Sequence, residues 1–263
     1  MDLGLGGLKA LIAGSSKGLG YAIAYSLASE GSHVAINGRS NEALNSAVKS
    51  ISKDTDVTVI PIPGDVSDSQ QPNDIVEQAV KSLGGLDLLV TNSSGPPSGK
   101  FEAFDDEEWI SAGDLVFMSH VRLIRAALPH LRKSSSASVL TITSYAVKQP
   151  IPNLVLSNSL RAATIGLTKT LSLELGAEGI RFNSILPAWT TTERVHELMS
   201  ARARLNATTI EEELSKQAAE SPFGRMASPQ EFSNVAVFLL SPAASYVTGA
   251  MLAVDGGMYK GTL

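Results

Sequence analysis

Residues 9–20 read Lys9-Ala10-Leu11-Ile12-Ala13-Gly14-Ser15-Ser16-Lys17-Gly18-Leu19-Gly20 and pass directly into Tyr21-Ala22-Ile23-Ala24. A short apolar run, glycines spaced Gly-x-x-x-Gly-x-Gly and a helical segment predict a strand, a tight turn and a helix N-terminus. The glycines let the turn close and let its backbone approach a diphosphate. The unpaired N–H groups and the dipole of the helix favour the negative charge. The stretch therefore predicts a dinucleotide site on Gly14, Ser16, Lys17, Gly18, Leu19 and Gly20. Such a turn also arises for packing reasons alone, so its reading depends on the rest of the chain.

Outward from this turn, apolar strand-like segments recur at 33–37, 57–61, 86–91, 138–143, 181–186 and 251–254. Segments of helical length lie at 18–29, 42–51, 70–83, 107–131, 154–175 and 229–239. Parallel neighbours need crossover connections, so the alternation predicts a parallel sheet covered on both faces. Right-handed crossovers make it a doubly wound, Rossmann-type α/β sheet. No Pro/Ser/Gly-rich linker divides the 263 residues, and one domain over 1–263 is expected.

The composition narrows the function. Hydrophobic residues make up 43% and charged residues 18%, so disorder is excluded, and a net charge of −5 argues against a nucleic-acid or anionic-membrane partner. With no cysteine, thiolate catalysis and Cys-based metal sites are excluded. His33, His120, His130 and His196 have no ligand-like spacing, and no metal is expected. An acid near the N-terminus and the lack of a long uncharged apolar run predict a soluble, cytoplasmic protein.

The glycine spacing resembles that of the short-chain dehydrogenase/reductase family, and within it the 3-oxoacyl-[acyl-carrier-protein] reductases. Further stretches match in order: Asp65-Val66 after the third strand, Asn92-Ser93-Ser94-Gly95 after the fourth, and Pro187-Ala188 ending at Thr192. Tyr246-Val247-Thr248-Gly249 and Val254-Asp255-Gly256-Gly257 complete the series near the C-terminus. The resemblance covers nearly the whole chain. It implies that Asp65 and Val66 contact adenine and that Asn92, Ser93, Pro187, Thr190 and Thr192 also bind the cofactor. After the second strand, Asn37-Gly38-Arg39 offers no carboxylate for a ribose 2′-hydroxyl, whereas the Arg39 fork suits a 2′-phosphate. Lys17 and Arg39 occupy the places where the family keeps its phosphate-binding bases, which implies NADP in preference to NAD.

At the catalytic end the resemblance departs from its pattern. The family uses a Ser to polarise the carbonyl, a Tyr as general acid/base, a Lys that lowers the Tyr pKa and holds ribose, and an Asn that supports a relay water. Ser144 matches the Ser, but the usual interval leads to Ser157-Asn158-Ser159-Leu160-Arg161, with Ser157 for the Tyr and Arg161 for the Lys. Counting along the preceding helix puts Val116 in the Asn position, with Asp114 nearby. A serine hydroxyl and a guanidinium are poor proton donors, although Arg161 retains the capacity to hold ribose hydroxyls. Tyr145 and Lys148 are alternative acids, for which loop residues pointing elsewhere is the more ordinary reading.

Residues 193–222 hold the place of the family's mobile lid. Val195, Leu198, Met199 and Leu205, with Trp189 and Pro96-Pro97, are candidate contacts to an apolar substrate, although a helix packed on the core shows the same stripe. Two functions follow as expectations. One is an atypical oxidoreductase transferring hydride between NADP(H) and a small carbonyl or alcohol. The other is an NADP(H)-binding protein, a sensor or assembly partner, that keeps the fold with impaired catalysis. The resemblance implies a homotetramer, with an apolar stripe at Leu160, Ala163, Thr164, Leu167 and Leu171 for a monomer to expose.

Overall fold

A computed structural model describes residues 2–262, so the ends of the expected domain, residues 1 and 263, lie outside it. The elements run β1 (Lys9–Ile12), α1 (Gly18–Ser29), β2 (His33–Gly38), α2 (Asn41–Asp54), β3 (Val59–Pro63), α3 (Gln71–Leu83) and β4 (Leu88–Thr91). They continue through α4 (Asp106–Gly113), α5 (Ser119–Leu131), β5 (Ser138–Ile142), α6 (Val155–Glu174), β6 (Arg181–Pro187), α7 (Glu193–Asn206), α8 (Ile210–Ala219), α9 (Pro229–Leu240) and β7 (Met251–Val254). Among the described residues the strands form one parallel sheet in the order β3-β2-β1-β4-β5-β6-β7.

Both faces of the sheet are buried along its central strands, as parallel strands with crossover helices require. Along β1, Ala10 and Ile12 pack with Ile23 and Leu27 of α1 and Phe232 of α9, while Leu11 faces Ile75 of α3 and Leu123 of α5. Successive side chains alternate faces, so one apolar run serves two cores. The chain reverses its direction across the sheet between β1 and β4. A crevice opens there at the carboxyl ends of the strands, the place where doubly wound sheets bind ligands.

Two expected elements are corrected. The third strand lies at Val59–Pro63 instead of 57–61, because its two prolines sit on an edge strand, where a missing N–H is tolerated. The expected helix over 107–131 is α4 and α5 joined by a π turn, Asp114–Met118. The extra residue in that turn rotates everything on one side of it relative to the other. No helix among the described residues is long and apolar enough to cross a membrane.

Candidate active site

The turn after β1 is shaped by contacts that only glycine permits. Gly14 and Gly18 have φ of +55° and +64°. A Cβ on Gly14 would come within 2.9 Å of the Asn92 amide, and one on Gly20 would overlap the Gly14 carbonyl and stand 2.9 Å from Ser15 Cα. Asn92, from the end of β4, donates to the Gly14 carbonyl at 3.0 Å and ties the two sides of the crevice together. Ser15 donates to the Ile12 carbonyl and accepts from the Asn37 N–H. Asn37 in turn donates to the carbonyls of Ile62 and Gly64, so one buried amide joins β2 to β3 beneath the turn.

Helix α1 begins at Gly18 with no side-chain cap and no acid in its first turn. Its first N–H groups are therefore available to an anion. They open on a cavity of about 510 Å³ whose wall includes Gly14, Ser16, Lys17, Gly18, Leu19, Arg39, Asp65, Val66, Asn92 and Ser93. The wall continues through Pro187, Thr190 and Thr192 to Ser144, Ser157 and Arg161. Its size falls within the ~300–1,000 Å³ of ligand clefts. Gly20 is the exception among the expected residues: it lies outside the wall, and its role is the close approach of α1 to the turn. The hydroxyls of Thr143 and Thr190 are buried at the wall with no partner among the described residues, which fits a ligand bearing polar groups. The uncapped helix, the glycine cradle and these hydroxyls fit a dinucleotide.

At the mouth of the cavity, Lys17 pairs with Glu193 at the start of α7, and that carboxylate holds the ammonium above its ordinary pKa. Arg39 stands 3.8 Å from Asp65 and is largely exposed. Asp65 also accepts from the Ser67 N–H and hydroxyl. At the far end, the Ser144 oxygen accepts from the Ala146 N–H at 3.1 Å, which leaves its own O–H free to donate. Arg161 is buried on α6: its Nη1 donates to the carbonyls of Ile142 and Thr143, and its Nε donates to the Ser157 hydroxyl at 3.2 Å. Burial, and then the charge of Arg194, lowers Arg161 to about 10, so it remains a cation at neutral pH.

The other residues singled out at this end take different places. Val116 is fully buried within the π turn, and Leu115, not Val116, lines the cavity. Asp114 is engaged by Arg122 at 2.6 Å. Tyr145 does not point elsewhere: it is buried in the cavity wall, and burial raises its pKa, so the phenol is a weak acid. Lys148 lies over the ring of Tyr259, 5.0 Å from its centroid.

Among the residues expected to touch substrate, Val195 and Met199 are buried in a cluster with Tyr145, Trp189 and Met258, whereas Leu205 is 86% exposed. Leu198, Trp189 and Tyr145 separate the cavity from a second one of about 680 Å³ under α7 and α8, into which Arg202, Glu220 and Lys260 also project. Pro96 lines the first cavity and Pro97 does not. Arg194, Glu193 and Glu197 also line it; the sequence reading passed over them because they begin a helix of ordinary amphipathic composition.

The family profile described as Enoyl-(Acyl carrier protein) reductase matches residues 13–259. The chain is similar to L-sorbose reductase from Gluconobacter frateurii, solved in complex with NADPH and L-sorbose. The two are 33% identical over 99% of this chain and 100% of that one, with a TM-score of 0.95. Dehydrogenase/reductase SDR family member 4 of Homo sapiens is 30% identical over 249 residues, 94% of this chain and 86% of its own length. The NADPH-dependent reductase BacG of Bacillus subtilis is 27% identical over 252 residues, 95% and 97% of the two chains.

Proposed function

Because the chain belongs to the short-chain dehydrogenase/reductase family, we propose that it binds NADPH in the crevice between β1 and β4 and there reduces the carbonyl of a small molecule or oxidises the corresponding alcohol. The observation that carries this reading is continuity: one cavity runs from the uncapped N-terminus of α1, with Lys17 and Arg39 beside it, to Ser144, Ser157 and Arg161. The NADPH held by L-sorbose reductase and the cofactor in the name of BacG support NADPH here.

In this reading Gly14, Ser16, Gly18 and Leu19 cradle the diphosphate, and Arg39 and Lys17 take the 2′-phosphate as Lys17 exchanges Glu193 for it. Asp65 and Val66 flank adenine, and Asn92, Ser93, Pro187, Thr190 and Thr192 hold the nicotinamide end. When bound, the nicotinamide supplies a hydride to the carbonyl carbon, while the oxygen gains a proton. The O–H groups of Ser144 and Ser157 donate to that oxygen, and the guanidinium of Arg161, bonded to the Ser157 oxygen, strengthens the second of these donors. Neither hydroxyl is acidic enough to surrender its proton near neutral pH, and Arg161 stays protonated. The site lacks the Tyr-x-x-x-Lys pair of its family, and the proton comes from water in the cavity. Loss of a positioned acid typically costs about 10²–10⁴ in rate, so turnover is slow.

The proposal extends to the whole chain: a single cofactor-binding domain in the cytoplasm, residues 193–222 as a lid over the substrate cavities, and a homotetramer. Titration with NADPH and NADH tests the cofactor, with NADPH tighter and the difference reduced by Arg39→Ala. Equal or tighter NADH binding overturns it. NADPH oxidation across ketones, aldehydes and ketoacyl thioesters tests the chemistry. The Ser157 and Arg161 replacements favour one second reading, an NADPH-binding sensor or assembly partner, which binding without turnover across the whole panel would select.

A further inference from the structure

The wall of the first cavity carries four cations, Lys17, Arg39, Arg161 and Arg194, and three acids, Asp65, Glu193 and Glu197. Three pairs form: Lys17 with Glu193, Arg39 with Asp65, and Arg194 with Glu197 at 3.5 Å. Arg161 is the cation left over. It is also the most buried of the four, 8% exposed, and all of its hydrogen bonds go to uncharged oxygens. Its Nη2 has no acceptor among the described residues.

A buried guanidinium without a counter-charge is unfavourable, and ribose hydroxyls would satisfy its N–H groups without neutralising it. The second cation at this end sharpens the need. Arg194 lines the same cavity as Arg161, its charge helps to lower the Arg161 pKa, and it reaches over the loop after β4, where its Nη2 donates to the Pro96 carbonyl at 3.4 Å. Its bond to Glu197 is long and half-exposed, and is readily exchanged for a better acceptor. Two guanidinium groups thus line the cavity that also holds Ser144 and Ser157, and among the described residues none of the acids in the wall is paired with Arg161. With Nε and Nη1 of Arg161 already engaged, its Nη2 is the group left to donate to a carboxylate oxygen, and the Arg194 guanidinium offers donors to the other oxygen.

We propose that the substrate is an oxo acid, or a hydroxy acid in the reverse direction, whose carboxylate lies between Arg161 and Arg194 while Ser144 and Ser157 hold its carbonyl oxygen. The proposal rests on the reading of the cavity as a reductase site and adds the chemical class of the substrate to it. The carboxylate supplies the counter-ion missing at Arg161 and converts the repulsion between the two arginines into a shared attraction.

The test uses the intact protein saturated with NADPH, whose fluorescence reports ligands entering beside the nicotinamide. The probes are two matched pairs, oxamate with oxamide and acetoacetate with acetoacetamide. The acid of at least one pair is expected to bind about tenfold or more tightly than its neutral partner. Arg194→Gln, at a half-exposed position, should abolish that preference and leave NADPH affinity unchanged, with circular dichroism checking its fold. Equal binding of acid and amide in both pairs overturns the proposal. So does a preference that survives Arg194→Gln, since the carboxylate is then held elsewhere. Loss of NADPH affinity in the variant overturns it as well, since the anion at Arg194 is then a cofactor phosphate. Failure of the wild type to bind NADPH refutes the reductase reading itself, an outcome distinct from these three.

Discussion

Ser157 and Arg161 are one helical turn apart on α6, and a single hydrogen bond from Nε to Oγ joins them. A serine hydroxyl can stabilise a developing alkoxide but cannot be tuned to neutrality, whereas a phenol near ~10 can be lowered by an adjacent ammonium. The double change Ser157→Tyr with Arg161→Lys should therefore raise the steady-state rate of NADPH oxidation on an aldehyde panel by about 10²-fold or more. Each single change should fall short: a Tyr beside Arg161 lacks the ammonium, and a Lys beside Ser157 has nothing to activate. A wild type already turning over at ~10 s⁻¹ and indifferent to Ser144→Ala would contradict this placement of the chemistry. Most of the expected residues on the wall were legible because they follow a strand or open a helix at a fixed place in the pattern, and Arg161 because it stands at a fixed interval from Ser144. Arg194 was not, because its importance comes from sharing a cavity with Arg161, 33 positions earlier in the chain, which only the folded molecule brings about.

Among the elements, the link between α5 and β4 carries a pH signature. His120, in the first turn of α5, is bonded through Nδ1 to the Thr91 hydroxyl at 2.6 Å, and its Nε2 is buried without a partner among the described residues. Burial, with a further contribution from the charge of Arg161, lowers its pKa from 6.5 to about 3. Between these values the unfolded chain binds a proton that the folded one refuses, so stability is full above 6.5 and is lost as the pH falls toward 3. The slope from this one group approaches 1.4 kcal/mol per pH unit. Urea unfolding of wild type and His120→Leu at pH 7, 6 and 5 should show the steeper decline in the wild type, whatever the offset between the two at pH 7. Parallel declines would mean that His120 is not held neutral. The π turn just before this helix sets which side chain reaches the cavity: Leu115 lines the wall and Val116 is enclosed.

For the whole molecule, the surface argues for assembly. Leu173 on α6 and Ile110 on α4 are 73% and 67% exposed, and the edge strand β7 leaves Met251 and Leu252 at 44% and 39%. An uncovered apolar edge strand is a liability that a partner subunit removes. Light scattering at micromolar concentration should give the mass of four chains, and Leu252→Asp should reduce it; a monomeric wild type would contradict the homotetramer. The sequence by itself determined the architecture, because apolar runs alternating with helical periodicity can be buried only as a parallel sheet with helices on both faces. It also determined the phosphate end of the crevice, because Gly14, Gly18 and Gly20 answer to backbone geometry within a few residues. Tertiary structure alone decided the balance of charge in the crevice: which acid neutralises Lys17, Arg39 or Arg194, and that Arg161 is left without one. Local conformation is set by neighbours in the chain, whereas a buried charge is stabilised or exposed by groups far away in sequence, and the strength of that coupling depends on distance and solvent exclusion that no spacing records.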